Sequence, residues 1–286
     1  MSAIVPINVS GLSELVDQYD GYIIDLWGTI HNGVALFKGA MACLEMLHKC
    51  GKKVVLLSNA PRPAHSVMTQ LEGFGIPCTL YHTLITSGEE TYRYLKERTD
   101  PWFARLGQRV LPLGGTHDLV LYEQLPLQRV VSVDEADFIV CTGPDLERGA
   151  SSLDPYLPEL RAALTRGLPM ICANPDKIVV KGDQRLICAG AMAAFYEEQG
   201  GDVFWIGKPC PAIYTRVLDR LAMKKERILA IGDAWETDIK GAMSTGVASV
   251  WVLSGVDHMS QEEAIKKAKI YSYEKNLRIM PRLQWT

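Results

Sequence analysis

The chain has 286 residues, 48% of them hydrophobic and 22% charged, and a formal net charge of -3. That length and balance suit one or two globular domains with a sizeable core, and the charge gives no electrostatic case for nucleic acid or an anionic membrane as partner. No apolar run approaches the roughly 18–20 residues of a membrane span, and residues 1–10 carry no basic-then-apolar leader.

Seven scattered cysteines with no Cys-x-x-Cys pair point away from a zinc site or a disulfide framework. They fit reduced, partly buried thiols in a cytoplasmic protein.

Short apolar runs alternate with helical patterns along the whole chain, the signature of βαβ units and a parallel sheet. In chain order the predicted strands are Tyr22–Ile24, Lys53–Leu57, Val110–Leu113, Asp137–Cys141, Met170–Cys172, Val203–Ile206, Ile228–Ile231 and Ser249–Leu253. Apolar residues at helical spacing predict helices over Gly39–Cys50, Pro155–Arg166, Ala191–Gln199 and Pro211–Met223, several closed by glycine. Gln261–Lys269 reads as a more polar surface helix.

Four of these strands end in chemistry, at Asp25, Ser58, Lys208 and Asp233. The strands between about 105 and 203 end instead in Gly-Gly, Thr-Gly-Pro and Ala-Asn-Pro. The expectation is an α/β catalytic core, 1–87 and 204–286, interrupted by an α/β module at 88–203. Ligand sites of open α/β sheets lie at the carboxyl edge of the strands.

The four strand ends supply complementary groups. Tyr22-Ile23-Ile24-Asp25-Leu26-Trp27-Gly28-Thr29 delivers a carboxylate to a glycine turn. Ser58 and Asn59, with the N–H groups of the following turn, suit phosphate oxygens. Gly207-Lys208-Pro209 sets a cation at a strand mouth, and Pro209 stands where a P-loop needs Ser or Thr. Gly232-Asp233 and Thr237-Asp238 bring carboxylates five apart around a turn and helix start, hard ligands suited to Mg²⁺.

In this order the four segments resemble motifs I to IV of the haloacid dehalogenase-like hydrolases. Ile139-Val-Cys-Thr-Gly-Pro-Asp145, Ala173-Asn174-Pro175-Asp176 and Ala189-Gly190-Ala191 resemble the inserted cap of the class IIA, NagD-type and pyridoxal phosphatase-like branch. The resemblance spans nearly the whole chain. It implies a Rossmann-like parallel-sheet core with a C2-type cap, and a Mg²⁺-dependent phosphatase acting on a small phosphorylated metabolite. Asp25 would be the nucleophile that forms an aspartyl-phosphate. Asp25, the Trp27 backbone carbonyl and Asp233 would hold the metal, with Asp238 orienting Lys208 or a metal-bound water. Ser58, Asn59 and Lys208 would balance the phosphoryl charge. Asp176 and Gly190 are expected at the substrate from the cap side, Asn174-Pro175-Asp176 reading equally as a turn former, and pairing through the cap would make a homodimer.

One part departs from the family pattern. Where the second Asp of motif I acts as general acid/base, this chain has Trp27, whose indole carries no proton near neutral pH. Such a group is worth roughly 10²- to 10⁴-fold. His31 is a candidate replacement, since imidazole titrates near neutrality; alternatively it caps a turn with Asn32-Gly33. Trp27 itself could be a flap-packing aromatic. Two other readings stay open: a catalytically silent relative that binds a phosphometabolite or a protein, and a dehalogenase-type hydrolase. The second needs no metal, so the retained Asp233 and Asp238 weigh against it. Arg62 could reach an anionic substrate, or a surface carboxylate as a solvated surface residue, the favoured of the two readings.

Overall fold

The structure is a computed structural model that describes residues 7–256, 258–270 and 276–286. Its strands are β1 (Ile7–Asn8), β2 (Gly21–Asp25), β3 (Lys53–Ser58), β4 (Thr83–Thr86), β5 (Arg109–Leu113), β6 (Gln128–Arg129), β7 (Phe138–Cys141), β8 (Met170–Cys172), β9 (Ile178–Lys181), β10 (Gln184–Ile187), β11 (Val203–Trp205), β12 (Ile228–Gly232), β13 (Ala248–Val252) and β14 (Leu277–Met280).

Seven of them form one parallel sheet in the order β1-β14-β13-β12-β2-β3-β4. All five residues of β2 and of β12 are buried, as expected where helices cover both faces of a parallel sheet. Side chains alternate between the faces. Tyr22, Ile24, Val54 and Leu56 pack with Cys43, Leu44 and Leu47 of helix Ala40–Lys49 and with Val67 and Leu71 of helix Ala64–Gly73. Ile23, Val55, Leu57 and Ala230 pack with Ile213, Tyr214, Val217 and Leu221 of helix Pro211–Leu221 on the other face.

Between β4 and β12 the chain builds a second parallel sheet, ordered β11-β8-β7-β5-β6. Helices Leu157–Thr165 and Ala189–Glu198 cover one face; Leu95 of helix Ser87–Glu97 and Phe103 lie in the apolar layer on the other. Because β11 pairs with β8 as far as Trp205 and Cys172, this sheet runs two residues past 203, where the sequence pattern places the return to the core.

Several elements carry too little pattern to be read from sequence. Thr83–Thr86 is four residues long, and helix Ala64–Gly73 buries only Val67 and Leu71. Strands β9 and β10 form a separate antiparallel hairpin whose turn opens at Gly182, φ 58°, and none of their side chains is fully buried. Among the described residues no helix is long and apolar enough to cross a membrane. The seven cysteines are unpaired, with Cys43, Cys141, Cys172 and Cys188 buried.

Candidate active site

Neighbouring strands β12, β2 and β3 run in parallel, so their carboxyl ends set Asp233, Asp25 and Ser58 along one edge of the sheet. Lys208 enters from the segment after β11. Gly207 makes that entry possible: its φ is 125°, and a Cβ there would fall 2.6 Å from Asn59 Oδ1. The Asn59 amide locks the loop, accepting from the Lys208 N–H at 2.8 Å and donating to the Lys208 carbonyl at 3.2 Å. The same Nδ2 donates to Asp176 Oδ1 at 2.9 Å, which ties the inserted module to the core.

The Lys208 ammonium donates to Asp25 Oδ1 at 2.5 Å and to Asp238 Oδ1 at 2.7 Å. Asp238 is held in turn by the Ala234 N–H on its other oxygen, 3.1 Å away, within the π-helical turn Trp235–Ile239. Single π turns of this kind concentrate at functional sites. Asp233 sits in a cradle of glycines. A Cβ on Gly28 or on Gly255 would come within 2.1 or 1.9 Å of its Oδ2, and that oxygen accepts from the Val256 N–H at 2.5 Å.

Burial dominates the electrostatics. It pushes the Asp25 and Asp233 carboxyls upward, and neighbouring carboxylates add to the effect. Burial also opposes the charge on Lys208, but Asp238, Asp25 and Asp176 together outweigh it and hold the ammonium well above its ordinary range. Asp176 is raised by burial, against the pull of Lys208 and Asn59.

Asp25, Asp233 and Asp238 each present an oxygen within 4.8 Å of the others, all buried, and Asp25 Oδ2 is a buried oxygen without a hydrogen-bond partner. One ammonium cannot neutralise three buried carboxylates. The donor set is all oxygen and includes a free carboxylate oxygen, so it fits a hard divalent cation.

Above this cluster lies a cleft of about 600 Å³, bordered by Asp25, Trp27, Lys208 and Asp233 from the core side and by Asp176, Arg185 and Trp205 from the inserted module. Arg185, Trp205, Glu236 and Thr237 reach the cleft without having been singled out as site residues. Glu236 and Thr237 were findable, since they lie inside the Asp233–Asp238 segment. Arg185 sits on a hairpin strand with no local signal.

The structure thus joins Asp25, Lys208, Asp233, Asp238, Asn59 and Asp176, and it separates two others from the cleft. Ser58 stands at the same sheet edge as Asp25, its Oγ accepting from the Ala60 N–H at 3.2 Å and keeping its own proton to donate. Gly190 lies behind the Asp176 loop: its N–H donates to the Asp176 carbonyl at 3.1 Å, and a Cβ would strike Pro175 O at 2.2 Å. Its place is close packing against that loop rather than substrate contact.

His31 is buried, with Nδ1 accepting from the Gly33 N–H at 3.1 Å. Its ring is wedged between Trp27 (5.4 Å between centroids) and Phe74 (5.1 Å). Burial, then Arg62, lowers it to about 4, so near neutrality it is an uncharged packing ring away from the cleft. Arg62 is half-buried and donates to Gln70 at 2.8 Å rather than standing in solvent.

The sequence profile of the haloacid dehalogenase-like hydrolases matches residues 22–127, and a second, HAD-hydrolase-like profile matches 205–277. A solved hydrolase of the haloacid dehalogenase-like family from Brucella suis is 34% identical, with 87% of this chain and 90% of that one covered and a TM-score of 0.79. The D-glycerol 3-phosphate phosphatase of Mycobacterium tuberculosis is 28% identical over 247 residues, 86% of this chain. The match spans 66% of that relative's length. A solved glycerol phosphate phosphatase from Mycobacterium tuberculosis in complex with magnesium is 26% identical, with 84% and 70% of the two chains covered and a TM-score of 0.63. With motifs I to IV converging on one sheet edge and a relative of this similarity along most of its length, the chain belongs to the haloacid dehalogenase-like hydrolase family, in its class IIA, NagD-like branch.

Proposed function

We propose that the chain is a Mg²⁺-dependent phosphatase of small phosphorylated metabolites that works through an aspartyl-phosphate on Asp25. The observation that carries this reading is the buried cluster of Asp25, Asp233 and Asp238 around Lys208, with its unpaired Asp25 Oδ2, at the border of the cleft. The phosphatase names of the relatives and the magnesium complex of one of them support it.

Asp25 attacks phosphorus, forming an aspartyl O–P bond as the ester P–O bond breaks; water then cleaves the acyl phosphate and regenerates the carboxylate. Lys208, held by Asp25 and Asp238, neutralises phosphoryl oxygens. Asp233 and Asp25, with the Trp27 carbonyl, would hold Mg²⁺, which when bound balances the phosphoryl charge. Asn59 positions the Lys208 backbone and Asp176. With Trp27 unable to move a proton and His31 packed away, esters of acidic alcohols, aryl phosphates above all, are the substrates that lose least. Seven unpaired thiols support a cytoplasmic setting as part of the same reading.

A second reading is favoured by one observation: Trp27 occupies the acid/base position and directs its N–H away to a backbone carbonyl. A silent phosphometabolite-binding protein would tolerate that. The deciding experiment is a screen of aryl and alkyl phosphates with Mg²⁺, comparing the native chain with Asp25→Asn. Turnover lost in the variant supports the phosphatase. No phosphate release from any substrate, with phosphate esters still bound, supports the binding protein.

A further inference from the structure

Trp27 is fixed at both ends. Its ring rests on Gly33, where a Cβ would fall 2.2 Å from the indole. It meets His31 edge-on at 71°, and His31 rests on Phe74. At the outer end the indole Nε1 donates to the Val180 carbonyl at 2.9 Å, 153 positions along the chain in β9. The core flap, the loop 27–34 after β2, meets the hairpin turn again: the Gly182 N–H points to the Asn32 carbonyl at 3.5 Å, and Val34 lies beside Gly182.

The hairpin gives such a tie leverage. Among the described residues β9 and β10 pair only with each other, and an isolated two-stranded hairpin is marginal in water. Its base is held to the inserted module, the Ile187 N–H donating to the Ala150 carbonyl at 2.8 Å. Its middle and turn are held by the core flap. Ile178, Val179 and Arg185 of this hairpin border the cleft that Asp25 opens into, and Trp27 is followed directly by Gly28, the residue packed on Asp233.

We propose that Trp27 is a positioning residue: where the family places a proton carrier, its N–H ties the cap hairpin down over the reaction centre and sets how often the cleft is closed on a bound phosphate. The inference rests on the assignment of Asp25 and Asp233 as that centre. Losing one neutral hydrogen bond shifts such an equilibrium by roughly three- to tenfold, and apparent affinity falls with the closed fraction.

The test is Trp27→Phe, which keeps a ring on Gly33 and removes the N–H. Amide hydrogen exchange over residues 178–187 is measured in the full chain with Mg²⁺ and inorganic phosphate, beside kinetics on p-nitrophenyl phosphate. The expected result is hairpin exchange faster by roughly three- to tenfold, KM raised by a similar factor and kcat changed less than about twofold. Unchanged exchange overturns the proposal, as does a fall in kcat with KM unmoved, which would put the indole in the chemistry. Absence of turnover in the native chain would remove the phosphatase reading alone, since exchange in the variant still decides the tie.

Discussion

Lys208 Nζ lies 2.5 Å from Asp25 Oδ1, across 183 positions of sequence, and the two side chains are 3% and 6% exposed. A second carboxylate, Asp238, accepts from the same ammonium, so Lys208 is the countercharge on which both buried anions depend.

Lys208→Met therefore leaves buried charge uncompensated. Removing one partner of such a pair costs about 3–5 kcal/mol, and losing a preorganised charge at the phosphoryl group lowers kcat by roughly 10²–10³-fold. Denaturant unfolding together with steady-state kinetics reads both; a variant as stable and as active as the parent would refute the assigned role.

Metal binding should show in stability before it shows in rate. A ligand at a hundred times its Kd stabilises the folded state by about 2.7 kcal/mol, so millimolar Mg²⁺ should raise the melting temperature of the native chain. Asp233→Asn should lose most of that shift. The carboxyls of Asp25 and Asp233 lie above their usual range, so protons compete with the cation and the shift should shrink as pH falls. An undiminished shift in Asp233→Asn would place the metal elsewhere.

His31 predicts a pH dependence of stability with a definite sign. Its folded value, about 4, lies below the ordinary 6.5. Between those values the unfolded chain binds the extra proton, so stability rises with pH. The contribution is complete above about 6.5, drains away as pH falls, and is gone below about 4, about 3 kcal/mol in all. Melting curves from pH 7 to 4.5 should therefore flatten in His31→Phe. Turnover at neutral pH should stay within a few-fold of the parent, and its collapse would restore His31 to the chemistry.

Trp27→Asp returns a carboxylate to the acid/base position. In the first phosphoryl transfer, read by kcat/KM, alkyl phosphates should gain up to roughly 10²-fold, while aryl phosphates, whose leaving groups need no proton, should change little. The alkyl-to-aryl ratio of kcat/KM is the measurement. A ratio unchanged in a folded variant would mean that another group already carries the proton.

Fold class and motif residues were legible along the chain, because each is written locally. Buried parallel strands are unbroken apolar runs, as in Tyr22–Ile24 and Ile228–Ile231, and a carboxylate or amide at the strand end must then lie at the sheet edge. Asp25, Asn59, Lys208, Asp233 and Asp238 were legible for that reason. What a side chain does after leaving its strand was decided only by tertiary structure. Gly190 became a packing surface and His31 became an apolar wedge, because burial, not spacing, sets the fate of a polar group. Hairpin β9–β10, half-exposed and short, had no pattern to announce it. The bond from Trp27 to Val180 joins two segments with no mutual sequence signal, and its geometry exists only once the two sheets are packed.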